Sequence, residues 1–162
     1  MKIAWALAES LQLPPRYKIQ QLQDIAPIWG SWKLWRGYNC DHCICGDTQE
    51  AQYCIDHDFY QYCKLYIPDG INKKAPNIVK FGAQGQVNAL HLNDIITLHL
   101  VGSQHDLVLL LGFDRVFDTE ILKSLVNEYP NTQWVMISHN EIDLDNENFT
   151  CDLLDNVLQS LS

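Results

Sequence analysis

The run Leu107 to Leu111, LVLLL, limits what this chain can fold into more than any other segment. Five consecutive apolar residues cannot alternate between core and solvent. A strand here needs cover on both faces, which is the setting of a parallel sheet flanked by helices. Other segments suit the same sheet. Lys2 to Ala8 (KIAWALA) reads as a buried first strand, Tyr66-Ile67 as a strand end entering the turn Pro68-Asp69-Gly70, Asn77 to Phe81 (NIVKF) as a strand stopped by Gly82, and Gln133 to Ser138 (QWVMIS) as another.

Helical spacing fills the intervals. Ile19, Leu22 and Ile25 recur across Lys18 to Ala26, and Pro27 follows. A longer helix from a Thr48 cap to about Lys64 would carry Ala51, Cys54, Ile55, Phe59, Tyr62 and Cys63 on one face. Asn93 is a cap for a helix stopped by Gly102, and Asp118 for one striped by Ile121, Leu122, Leu125, Val126 and Tyr129. Thr150 would open a last helix, with Asp152 in its first turn and Leu153, Leu154, Val157, Leu158 and Leu161 facing inward. No repeat or Gly/Ser linker interrupts the 162 residues, so one α/β domain is expected over 1–162. Its form would be a Rossmann-like three-layer sandwich around a mainly parallel sheet of about 4–5 strands. Ligands of such sheets sit beyond the carboxyl ends of the strands, here Glu9-Ser10, Gly82 to Gly85, Gly112 to Asp114 and Ser138 to Glu141.

Charge narrows the partners. Eleven Lys and Arg against twenty Asp and Glu give a net charge of −9, which opposes general nucleic-acid or anionic-lipid binding. No apolar run reaches membrane-spanning length, and the opening MKIAWALAES lacks the pattern of a secretory signal, so a cytoplasmic protein is expected. The six cysteines then stay reduced, and Asn148-Phe149-Thr150 is a chance glycosylation match.

Several constellations carry chemistry, each beside a plainer reading. Cys40-x2-Cys43 and Cys54-x2-His57 copy the spacing of a zinc site, but Cys54 also belongs to an apolar helix face, and no metal or other cofactor is favoured. Cys40, Cys43 and Cys45 beside His42 precede a helix N-terminus that would activate a thiol, yet match no nucleophile motif. Trp29, Trp32, Trp35 and Tyr38 recur every third residue, near Arg16, Lys18, Lys33 and Arg36. They form either a core stripe or a platform on which Trp32 stacks while Arg36 grips a phosphate. Gly112-Phe113-Asp114-Arg115 and His139-Asn140-Glu141 follow strands, so Asp114 and His139 are the candidate acid/base pair, and Gly112 and Asn140 candidate ligand contacts. Phe81 to Gly85 lacks the residues of a phosphate loop, and Glu141 to Glu147 those of a calcium loop.

In the strings Trp29 to Arg36 (WGSWKLWR), Leu109 to Asp114 (LLLGFD) and Gln133 to His139 (QWVMISH), the chain resembles uncharacterised proteins of tailed marine bacteriophages. The resemblance implies a phage setting, in the cytoplasm of an infected bacterium or in the virion, and supplies no activity. The expectation is an accessory or virion-associated protein acting mainly through protein contacts, without catalysis. The alternative is an enzyme or sensor for a nucleotide or sugar phosphate, as an enzyme a transferase or hydrolase, with its site at the strand ends. A homo-oligomer is compatible with either.

Overall fold

The structure, a computed structural model, describes residues 1–9, 16–34, 38–82, 91–114 and 118–162, with only the backbone of 16–18. Eight strands form one sheet: β1 Ile3–Leu7, β2 Ile28–Ser31, β3 His42–Ile44, β4 Lys64–Pro68, β5 Ile78–Phe81, β6 Leu107–Leu111, β7 Gln133–Ile137 and β8 Phe149–Asp152. Their order is β5-β4-β3-β2-β1-β6-β7-β8, and every neighbouring pair is parallel. Among the described residues five α-helices accompany them: α1 Arg16–Ile25, α2 Thr48–Asp56, α3 Leu92–Gln104, α4 Thr119–Glu128 and α5 Leu154–Leu161. Among the described residues no helix is long and apolar enough to cross a membrane.

The α/β class follows from the LVLLL run as expected, since β6 sits inside the sheet with Leu107 to Leu110 buried. Helices α1, α2 and α5 pack on one face around Trp5, Leu7, Cys43 and Leu65, and α3 and α4 on the other around Ala4, Ala6, Val108 and Trp134. Connections running outward from β1 through α1 and α2 use the first face, whereas those running the other way through α3 and α4 use the second. A single crossover hand requires this arrangement. The direction of winding reverses between β1 and β6.

The sheet exceeds the expected four or five strands because three of its strands are hard to read from sequence. β2 and β3 span four and three residues, too few for a period to register, and β2 contains Gly30. β8 takes Thr150, which was expected to open a helix. Asp152 lies in that strand and accepts from the Leu153 amide at 2.8 Å, and the first-turn acid of α5 is Asp155. The long helix expected from Thr48 to Lys64 ends at Asp56, because Asp58 adopts φ 56 and a 3-10 turn, Phe59–Gln61, follows. Its cap is Asp47, whose side chain accepts from the Glu50 amide at 3.0 Å. Cys63 is buried as expected, but beyond the helix.

Helix α3 lies unusually close to the sheet. On and just after β1 the residues facing it are Ala4, Ala6 and Ala8, whose small side chains leave room for a helix backbone. A Cβ added at Gly46 would stand 2.4 Å from Ile96 Cδ1, and one at Gly102 would stand 2.8 Å from both the Trp134 and Tyr129 rings. Gly102 therefore does not stop the helix, as its residue type suggested. It sits inside α3, where the Trp134 ring occupies the space a side chain would need. Thr132 closes the true end, its hydroxyl lying 2.8 Å from the Gly102 carbonyl and 2.9 Å from that of His105.

At the amino ends of β2 and β3, Trp29 and His42 stack at 4.0 Å, and His42 Nδ1 lies 3.0 Å from the Tyr66 hydroxyl. Burial pushes the His42 pKa down to about 4. Such a depressed value contributes stability above the ordinary pKa of 6.5 that is lost as pH falls toward 4.

Gly102→Ala should destabilise the protein by about 1–3 kcal/mol in urea denaturation, because the Trp134 and Tyr129 rings cannot both retreat. Gly70→Ala, where an added Cβ meets nothing within 4 Å, should change stability by less than about 0.5 kcal/mol. Equal effects at the two positions would contradict the close approach.

Candidate functional site

The chain leaves β1, β2 and β3 at Glu9, Ser31 and Gly46, and the first turn of α3 meets all three. Asn93 Oδ1 accepts from the Gly46 amide at 2.8 Å, and its Nδ2 donates to Ser31 Oγ at 3.1 Å and Glu9 Oε2 at 3.2 Å. Asp94 Oδ1 accepts from the Glu9 amide at 2.9 Å. Ser31, Asn93 and Asp94 are all buried. Buried polar groups so fully paired are rigid, because breaking one contact leaves another unsatisfied.

Outside this buried set, Lys33 bridges Glu9 at 3.3 Å and Glu50 at 3.2 Å. Partial burial works against the Lys33 ammonium, but hydrogen bonds and charge from Glu50 and Glu9 outweigh it and raise its pKa. The three side chains border a cavity of about 360 Å3, also lined by Asp47, Gln49, Leu92 and Asn93, between the N-termini of α2 and α3. Asp94 behaves differently from an ordinary carboxyl. Burial, reinforced by the charge of Glu9, raises its pKa to about 7 despite the bond from the Glu9 amide. A carboxyl with that pKa can give or take a proton near neutrality.

The edge beyond β6 and β7 holds a second polar group. Gly112 takes φ 89, a conformation that favours glycine, and turns the chain so that Asp114 Oδ2 accepts from Ser138 Oγ at 2.9 Å. The Asn140 amide donates to the same Ser138 Oγ at 3.1 Å. The sequence candidates Asp114 and Asn140 are thus joined through Ser138, Gly112 makes the turn before Asp114, and His139 is exposed on the surface. Trp32 is two strands away, past β2, packed at 5.7 Å from Tyr53 and 5.8 Å from Phe59. Arg36, Trp35, Arg115, Gly85 and the side chains of Arg16 and Lys18 lie outside the described residues. Trp29 and Tyr38 do not share one stripe, for Trp29 is buried under α3 and Tyr38 on the opposite face of the sheet.

The thiols sort by strand alternation rather than by zinc spacing. Cys43 Sγ donates to the Cys40 carbonyl oxygen at 4.0 Å, Cys45 Sγ to that of Asp47 at 3.9 Å and Cys63 Sγ to that of Phe59 at 3.5 Å. Interaction with the neighbouring Cys40 and Cys63 thiols, with burial, pushes the Cys43 thiol far up, the Cys54 thiol and burial do the same to Cys45, and Cys43 draws the Cys63 thiol down. His57, the fourth residue of the zinc spacing, is exposed, with Nδ1 2.9 Å from the Tyr53 carbonyl oxygen. No group of three or more metal-ligating side chains occurs among the described residues. His42 stacks on Trp29 in the cluster under α3, while Cys43 and Cys45 belong to the opposite cluster, so no imidazole activates a thiol there.

Sequence reasoning named Glu9 as part of the strand-end rim and Asn93 as a cap, but did not join them. Helix α3 starts at Leu92 after His91, so Asn93 lies in its first turn and its side chain is free to serve the strand ends. Lys33 reads from sequence only as part of a basic, aromatic segment and Ser31 carries no signal, because β2 is too short for a period to register. The one available signal was the polar pair Asn93-Asp94 opening an otherwise apolar helix.

Asp94 should titrate near pH 7 by carboxyl carbon NMR. A raised carboxyl pKa contributes stability that is complete below the ordinary value of 3.8 and lost as pH rises to about 7. Asp94→Asn should therefore gain stability relative to wild type across that window, and a flat difference would contradict the assignment. Of the six thiols only Cys151 is partly exposed, so a thiol reagent should label it first in the native protein and the other five only on unfolding. Comparison of the chain with protein-family models, curated proteins and solved structures gives no match.

Proposed function

We propose that the protein is a small-molecule-binding α/β domain whose ligand seats at the carboxyl edge of the sheet, beside the reversal between β1 and β6. The ligand class is the nucleotide or sugar phosphate that the sequence offers as the alternative to a protein-contact role, and the protein is its sensor, or an enzyme of transferase or hydrolase type. The observation that supports this best is the set of buried polar side chains, Ser31, Asn93 and Asp94, that fix Glu9 against a cavity at this edge. Open α/β sheets bind ligands at the reversal of strand order, where the diverging loops leave a crevice. Asp94, buried behind the cavity with its pKa raised to about 7, acts there by holding the Glu9 amide.

The protein-contact reading in a phage setting has less support. The large hydrophobic residues exposed among the described ones are Met1, Tyr53, Tyr62 and Leu153, from four different segments. Scattered residues of this kind are ordinary surface.

Native mass spectrometry of the purified protein, followed by thermal-shift titration of the molecules it retains, tests the proposal. A ligand at 100 times its Kd should add about 2.7 kcal/mol of stability. The double variant Glu9→Ala/Lys33→Ala should weaken that ligand at least about tenfold, since charged hydrogen bonds contribute about 1.5–3 kcal/mol. A retained molecule whose affinity ignores this variant, or no ligand at all from a nucleotide and sugar-phosphate panel, would overturn it.

A further inference from the structure

We infer that the cavity between α2 and α3 takes the neutral, hydroxyl-bearing ring of its ligand, the sugar of a nucleoside or glycoside, and excludes phosphate. The inference rests on the small-molecule role proposed for this edge and says which part of the molecule enters here.

Charge is the first argument. Among the described residues, the ionisable ones lining the cavity are Glu9, Asp47 and Glu50 against Lys33, and Lys33 already bridges two of these carboxylates. A phosphate would have to displace Glu9 or Glu50 from the ammonium and then remain beside both. A sugar meets no such conflict. Its hydroxyls donate to carboxylate oxygens, and a carboxylate can take two adjacent hydroxyls at once, as the acidic residue of dinucleotide sites does with a ribose.

Fixed geometry is the second. Asn93 has both ends of its amide committed, to the Gly46 amide on one side and to Glu9 and Ser31 on the other. Glu9 is therefore held by Asn93 through one oxygen and by Lys33 through the other, and its remaining lone pairs have a set direction. Preorganised acceptors of this kind favour a ligand with donors at fixed spacing.

The third argument is the aromatic side chain on the next turn. Gln49 and Glu50 line the cavity from the first turn of α2, and Tyr53 follows at i+4 and i+3, on the same side of the helix. Tyr53 is 47% exposed and is steadied by His57, 4.0 Å away, and by Trp32 at 5.7 Å. Tyr53 does not line the cavity itself; one helical turn beyond it, its half-exposed ring is placed to meet the C–H face of a pyranose or the base of a nucleoside that extends out of the cavity.

The test uses the full-length 15N-labelled protein and three probes at millimolar concentration: adenosine, methyl β-glucoside and inorganic phosphate. Adenosine or the glucoside should shift the amide signals of Glu9, Lys33, Gly46 and Asn93, and the responding probe identifies a nucleoside or a glycoside as the source of the sugar. Phosphate should leave those signals in place. Tyr53→Ala, an exposed substitution whose fold is checked in the same spectra, should weaken the responding probe on the order of tenfold. Phosphate shifting these amides while both neutral probes leave them alone would overturn the inference and leave the small-molecule reading standing. The same holds if the protein retains a ligand that shifts only the Asp114 and Ser138 edge. No response to any probe, with no retained ligand, would overturn both.

Discussion

The close seat of helix α3 on the sheet is the constraint from which the rest of the molecule follows. It depends on absence of bulk: Ala4 and Ala6 on β1, Ala8 just after it, Gly46 after β3, and Gly102 in the helix itself. Larger side chains would lift the helix away from the strands and open voids that interiors do not tolerate. With the helix down, its first turn arrives level with the ends of three strands. The polar residues there meet backbone and side-chain groups that would otherwise be buried without partners.

The alternation on β1 serves both faces at once. Trp5 and Leu7 point away from α3, and Trp5 fastens α1 through a 2.8 Å bond from its indole N–H to the Leu22 carbonyl. One strand thus anchors a helix on each side, and the reversal of winding falls beside it. The carboxyl edge divides there into a cavity with Glu9, Lys33 and Glu50 on the β1 side and the Gly112, Asp114 and Ser138 group on the β6 side.

The α/β class was legible because LVLLL and KIAWALA are continuous apolar runs that only a two-sided sheet can bury. The Asp118 cap and the stripe after it were legible for the same kind of local reason. What could not be read depends on partners distant in the chain. Gly102 looks like a stop signal until Trp134 is known to lie against it, and Asn93 looks like a cap until Gly46 and Ser31 are brought to it. The Cys54-x2-His57 spacing suggests a shared ligand role, but the α2 helix turns one residue into the core and leaves the other in solvent. In each case the residue type is right and its role is set by tertiary contact.

Native-state amide hydrogen exchange at Glu9 and Gly46 tests the account most directly. Both amides lie beyond the last residue of a strand, and their acceptors are the side chains of Asp94 and Asn93. If α3 clamps the strand ends, these two amides should exchange as slowly as the interior of β1 and β6, limited by larger openings of the fold. Exchange at the rate of an open loop, while the interiors of β1 and β6 stay protected, would mean that the clamp is absent and the cavity is not preformed.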